Sequence, residues 1–197
     1  MKIAFIVEGE TEKMFLPHLR RHLEQRLAGR MPTIRGFPQN GGLPKEEALK
    51  RLVDHALRDY DHAVALSDVY GVLDRQGLPL FQNAADAKEK MRQWVGREPR
   101  FHPHAAQHDF EAWLLPYSSA IQKLAGSKGS PPGGNPESVN HNPPPAHRME
   151  DLFALNGKKY SKPLWGGRIL KDQDLSVAAG QCMELKLLLC TFSTLSL

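Results

Sequence analysis

Two continuous apolar runs in this chain end in acids. Ile3-Ala4-Phe5-Ile6-Val7 leads into Glu8-Gly9-Glu10-Thr11-Glu12, and Ala63-Val64-Ala65-Leu66-Ser67 leads into Asp68. Runs of this kind read as strands buried on both faces of a sheet, and open α/β sheets bind ligands outside the carboxyl ends of their strands. Acids at those ends suit a metal ion or a metal-held phosphate. A third acid, Glu111, lies in His108-Asp109-Phe110-Glu111-Ala112-Trp113-Leu114-Leu115, which the pattern predicts to be the first two turns of a helix. On such a helix His108 and Glu111, three apart, share a face. Magnesium needs only one or two carboxylates, keeping its other positions for water and substrate phosphate. Glu8, Asp68 and Glu111 are therefore expected to hold Mg2+ or Mn2+, with His108 as general base or phosphate donor. Magnesium is preferred to a transition metal on His102, His104 and His108, because the histidines lack convergent partners in the pattern.

The elements that must position these groups alternate strand and helix, which argues for a mostly parallel sheet. Gly9 makes a tight turn and Thr11 caps a helix running to about Ala28, with Leu16, Leu19, Leu23 and Leu27 inward. Thr33 to Phe37 is a weak second strand, and Pro44 opens a second amphipathic helix through Leu57. His62 to Asp68 is the third strand. A loop over the strand ends, Val69 to Asn83, precedes a helix with Ala87, Met91, Trp94 and Val95 inward, and Arg100 to Ala106 is the fourth strand. The core is expected to be complete by about Leu115, giving an α/β domain over 1–115 and an appended segment over 116–197. Within that segment 126–147 is rich in Pro, Gly, Ser and Asn and reads as a surface loop, and one helix is expected from Leu175 to Phe192. Phe110, Trp113 and Leu114 are expected in the core rather than as a base-stacking platform.

Composition narrows the function classes. Lysine plus arginine number 26 against 22 acids, a net charge of +4 that is compatible with nucleic acid without indicating it. The two cysteines, Cys182 and Cys190, supply neither a disulfide framework nor a zinc spacing. No run reaches membrane-spanning length, so a soluble, cytoplasmic protein is expected. There is no P-loop and no dinucleotide-binding glycine fingerprint. Lys162 and Arg168 are candidates for a phosphate clamp, against the alternative of an ordinary solvated surface.

A Glu-Gly turn after the first strand and an Asp after a later one resemble the TOPRIM fold of topoisomerases, primases and certain nucleases. More narrowly, the chain resembles the bacterial family called domain of unknown function 4276. The match runs through Glu8-Gly9 with Thr11-Glu12, Asp68 with Tyr70-Gly71, and His108 with Phe110-Glu111-Ala112 and Leu114. It continues through Asn135-Pro136-Glu137, Tyr160-Ser161-Lys162-Pro163 with Gly166, and Cys182. The resemblance implies a TOPRIM-like three-layer α/β fold with a mostly parallel four-stranded sheet and a C-terminal helical extension. It further implies a divalent-metal site, with Gly9, Glu12, Tyr70, Gly71, Lys162 and Arg168 on the phosphate or substrate side. In one departure, Tyr70 stands where TOPRIM nucleases usually carry a second aspartate, with Asp74 a distant substitute. Two functions follow as expectations. One is a metal-dependent phosphodiesterase or nuclease, in a bacterial defence system. The other is a non-catalytic binding or regulatory module beside a partner protein such as an ATPase.

Overall fold

A computed structural model of the chain describes residues 1–27, 29, 31–39, 42–70, 72–73, 76–126, 128–138 and 144–196, excluding the Glu12 side chain. Four strands, β1 (Lys2–Val7), β2 (Thr33–Pro38), β3 (His62–Asp68) and β4 (Phe101–Ala106), form one parallel sheet in the order β2-β1-β3-β4. The chain leaves β1 toward β2 on one side and then returns past β1 to lay down β3 and β4 on the other. Because parallel crossovers keep one hand, reversing direction switches the face on which the connecting helix packs. Helix α1 (Glu10–Glu24) accordingly packs on one face, and α2 (Glu46–Ala56) and α3 (Ala84–Val95) pack on the other.

Side chains of β1 alternate between the two cores: Ile3, Phe5 and Val7 join the α1 side, and Ile6 joins the α2 and α3 side. Burial on both faces explains why the sequence runs are continuously apolar. On the α1 side the core does not end at Leu115. Two short 3-10 turns, Phe110–Trp113 and Leu115–Tyr117, lead into α4 (Ser118–Ala125), α5 (Pro145–Ala154), α6 (Lys162–Leu170), α7 (Leu175–Ala179) and α8 (Met183–Leu195). Met149, Phe153, Ile169, Leu185, Leu188 and Phe192 are buried in the same cluster as Phe5 and Leu19. Phe192 sets its ring edge-on to Phe5, 5.3 Å between centroids. Phe110, Trp113 and Leu114 are buried in this cluster, in keeping with their expected core role.

The structure corrects three local expectations. The segment at 108–115 is not a regular helix: His108 has φ +74° and precedes the 3-10 turn, so the expected shared helical face of His108 and Glu111 does not form. Thr11 lies inside the first turn of α1 rather than capping it, because the helix already begins at Glu10. The expected helix from Leu175 to Phe192 is broken into α7 and α8, with Cys182 at the N-cap of α8. The break has a partner in the Pro/Gly-rich segment. The Glu137 carboxylate accepts hydrogen bonds from the backbone N–H groups of Met183 (2.7 Å) and Glu184 (3.0 Å), satisfying the start of α8. Asn135 Oδ1 accepts from Glu137 N–H at 2.9 Å and shapes the turn that presents it. This part of 126–147 is thus tied to the core, and Pro145 to His147 already belong to α5.

Candidate metal and phosphate site

The strand order reverses between β1 and β3, and their carboxyl ends carry Glu8 and Asp68. In a doubly wound sheet this reversal opens the crevice where ligands sit. Glu8 Oε1 accepts from Ser67 Oγ at 2.5 Å and from the Asp68 backbone N–H at 2.9 Å, which ties the end of β1 to the end of β3. Both carboxylates are half-buried. Gly9, between β1 and α1, accepts the Lys13 N–H at 3.2 Å as the helix begins.

Glu111 is fully buried, and its carboxylate faces cationic and hydroxyl donors instead of the other two acids. Lys162 Nζ donates to Oε2 at 3.2 Å, and the Tyr160 hydroxyl donates to Oε1 at 3.5 Å. Burial pushes the Glu111 carboxyl upward, while the Lys162 charge and hydrogen bond and the Tyr160 hydroxyl pull it back. For Lys162, burial opposes the charged form. The Glu111, Asp68 and Asp109 carboxylates, with the Glu111 hydrogen bond, outweigh it and hold the pKa above the ordinary lysine value. Asp109, 5% exposed, is pushed up to about 7, first by burial and then by the charge on Glu111. Its Oδ2 accepts from Ala146 N–H at 3.1 Å, at the start of α5. The pair that sequence spacing suggested, His108 with Glu111, is replaced by a buried set of Asp109, Glu111, Tyr160 and Lys162 that reaches Asp68 through the lysine. Asp109, a neighbour of His108, carries no periodic signal of its own in the sequence.

Helix α6 crosses α1 so closely that a Cβ at Gly166 would come within 2.8 Å of Met14 Cε, and one at Gly167 within 3.1 Å of Met14 Cγ. A side chain at either position would have to displace Met14, so the two glycines let α6 lie close on α1.

Among the described residues no three His, Cys, Asp or Glu side chains form a group able to hold a metal ion, so Glu8, Asp68 and Glu111 do not form such a cluster. The donor set that fits a hard divalent cation is the two-carboxylate pair at the β1 and β3 ends, the number magnesium accepts alongside water and phosphate. His108 donates from Nε2 to the Glu137 carbonyl at 3.3 Å, and its ring packs against Tyr70 with centroids 5.1 Å apart. Tyr70 N–H also donates to the His108 carbonyl at 2.9 Å. These contacts hold His108 in its left-handed conformation, a strain of about 1–3 kcal/mol for a non-glycine residue. Burial lowers the His108 pKa, with the Glu137 carbonyl opposing, so the ring is neutral at pH 7. Arg168 lies over the Trp165 ring at 5.0 Å on the exposed side of α6. His102 faces His62, Nε2 to Nδ1 3.2 Å, and His104 meets Thr191 Oγ1 at 3.0 Å, so neither joins His108. Gly71, Asp74 and the Glu12 side chain lie outside the described residues.

The model of the family described as a domain of unknown function (DUF4276) matches residues 7–193. The chain belongs to this family. Among solved structures, this DUF4276 chain is similar to the C-terminal region of the Burkholderia pseudomallei OLD protein, at 14% identity, 96% coverage of each chain and a TM-score of 0.56. It is also similar to the C-terminal region of the Xanthomonas campestris pv. campestris OLD protein, at 12% identity, 96% coverage of each chain and a TM-score of 0.43. A comparison with curated proteins found no match. The DUF4276 chain has a TOPRIM-like α/β fold with a four-stranded parallel sheet and a C-terminal helical extension. Among the described residues no helix is long and apolar enough to cross a membrane.

Proposed function

We propose that this DUF4276 chain is a divalent-metal-dependent phosphodiesterase, a nuclease of the TOPRIM-like type. The observation that supports this most is the link from the Glu8 carboxylate to the Asp68 backbone N–H across the reversal point of the sheet, with Asp68 in electrostatic range of the charged Lys162. Glu8 and Asp68 would hold Mg2+ or Mn2+, and when bound such an ion supplies charge stabilisation at phosphoryl oxygens and an acidified water. Lys162 binds and orients the phosphate as a point charge, Glu111 orients Lys162, and His108, the proposed general base, would accept a proton at Nε2 in its other tautomer, giving up the bond to the Glu137 carbonyl. Nucleic acid is the proposed substrate class and bacterial defence the setting, in the cytoplasm. The solved neighbour is itself the C-terminal region of a protein, which supports work beside a partner such as an ATPase. A second reading, a non-catalytic binding module, draws on Tyr70: in the place of an acid it packs on His108.

The test uses the isostere Glu8→Gln, which keeps an acceptor for Ser67 and Asp68 and removes the charge. Magnesium at about ten times a millimolar-scale dissociation constant is expected to stabilise the parent by about 1.4 kcal/mol, raising Tm by roughly 3–5 °C. Glu8→Gln and Asp68→Asn should abolish that increment in calorimetry, and with it metal-dependent cleavage of plasmid or single-stranded oligonucleotides. Metal-dependent stabilisation without cleavage would favour the binding module. Neither effect in the parent would remove the enzyme reading.

A further inference from the structure

We infer that this site takes a single divalent ion, and that the Lys162 ammonium, seated on Glu111, occupies the role of a second cation toward a substrate phosphate. The inference rests on the metal reading above and adds to it a count and a substrate contact. Glu111 has no solvent exposure and both of its oxygens are engaged, Oε1 by the Tyr160 hydroxyl and Oε2 by Lys162 Nζ. A second dication using Glu111 would have to displace the lysine and then sit beside its charge. Tyr70, a phenol where an acid would offset this, supplies no carboxylate, and its ring is packed against His108.

The lysine is built in rather than incidental. Tyr160 is 8% and Asp109 5% exposed, and both surround Glu111 from the buried side. Lys162 is the first residue of α6, which lies close on α1 through Gly166 and Gly167. The Lys162 side chain nevertheless keeps 41% of its surface exposed. An ammonium carries three donors, and the bond to Glu111 uses one. Its exposed part can therefore meet an anionic oxygen while its inner part stays on Glu111, with the Asp68 carboxylate in range of its charge. One dication and one ammonium balance Glu8, Asp68 and Glu111. The ligand this arrangement fits is a phosphate ester whose oxygens lie between the ion on Glu8 and Asp68 and the amine of Lys162.

Bound Mn2+ per chain, counted by electron paramagnetic resonance titration, tests the first half on the parent, Glu8→Gln, Glu111→Gln and Lys162→Met. The parent should bind one ion, Glu8→Gln none, and Glu111→Gln and Lys162→Met still one. Two ions on the parent, with one lost in Glu111→Gln, would overturn this inference and leave the metal reading standing. No ion on the parent would overturn both. The second half is read by fluorescence anisotropy with a 5′-phosphorylated single-stranded oligonucleotide in calcium buffer. Lys162→Met should weaken binding about tenfold, near the strength of one charge-assisted hydrogen bond. Circular dichroism checks that each variant is folded. Lys162→Gln, which keeps a donor for Glu111, replaces Lys162→Met if the latter fails to fold. Unchanged oligonucleotide affinity in the folded variant would overturn the phosphate contact.

Discussion

Phe192→Ala is expected to destabilise the protein by about 3–5 kcal/mol, the cost of a large cavity in a packed core. Phe192 sits near the end of the chain, yet it is fully buried and meets the Phe5 ring edge-on at 5.3 Å. Phe5 lies on β1, next to the strand end that carries Glu8. The loss therefore falls on the sheet that positions the site, and for a chain of this size a Tm lower by roughly 10 °C is expected. Urea unfolding checks it: the midpoint should fall while the slope is retained. Leu187→Ala on the same helix, 40% exposed, should change stability by less than about 1 kcal/mol. An equally small loss for Phe192→Ala would mean that α8 is a detachable appendage.

The second large effect is in pH. Asp109 is held up to about 7 by burial and by the Glu111 charge, against an unfolded value near 3.8. The sign follows from proton counts. Between about pH 4 and 7 the unfolded chain releases a proton that the folded chain retains, so stability falls as pH rises through this window and the full penalty is present above it. Asp109→Asn removes the titration while keeping an acceptor for the Ala146 N–H. Its stability relative to the parent should improve by about 2–4 kcal/mol between pH 4 and pH 8. Denaturant melts of both proteins across that range measure the change, and it is the difference in slope that decides, since the asparagine amide alters the local packing equally at every pH. Parallel curves would show that Asp109 ionises in the folded protein much as it does in the unfolded one.

Short-range determinants of this fold leave marks in the sequence that long-range ones do not. Strands β1 and β3 were legible because burial on both faces demands continuous apolar residues, and the acids after them were legible because they interrupt those runs. Helices α1, α2 and α3 were legible by their apolar spacing. The segment at 108–115 was not. Its residues Phe110, Trp113 and Leu114 are apolar enough for a helix, but the contacts of His108 with Tyr70 and Glu137 hold a left-handed residue at its start, and both partners are distant in sequence. The break between α7 and α8 was hidden for a similar reason: the group that satisfies the start of α8 is Glu137, 46 residues before Met183.

By itself, the sequence determined a parallel α/β protein with Glu8 and Asp68 at strand ends, because burial and strand-end position leave local marks, and its motifs carry the resemblance to the DUF4276 family. The tertiary structure alone decided how the remaining charges are used. Whether Glu111 meets the other acids or a lysine depends on how α6 packs on α1, where Gly166 and Gly167 lie against Met14. Packing of α6 on α1 brings Lys162 to an acid 51 residues earlier, and a buried carboxylate takes whichever cation the packing delivers, since leaving it unpaired is costly.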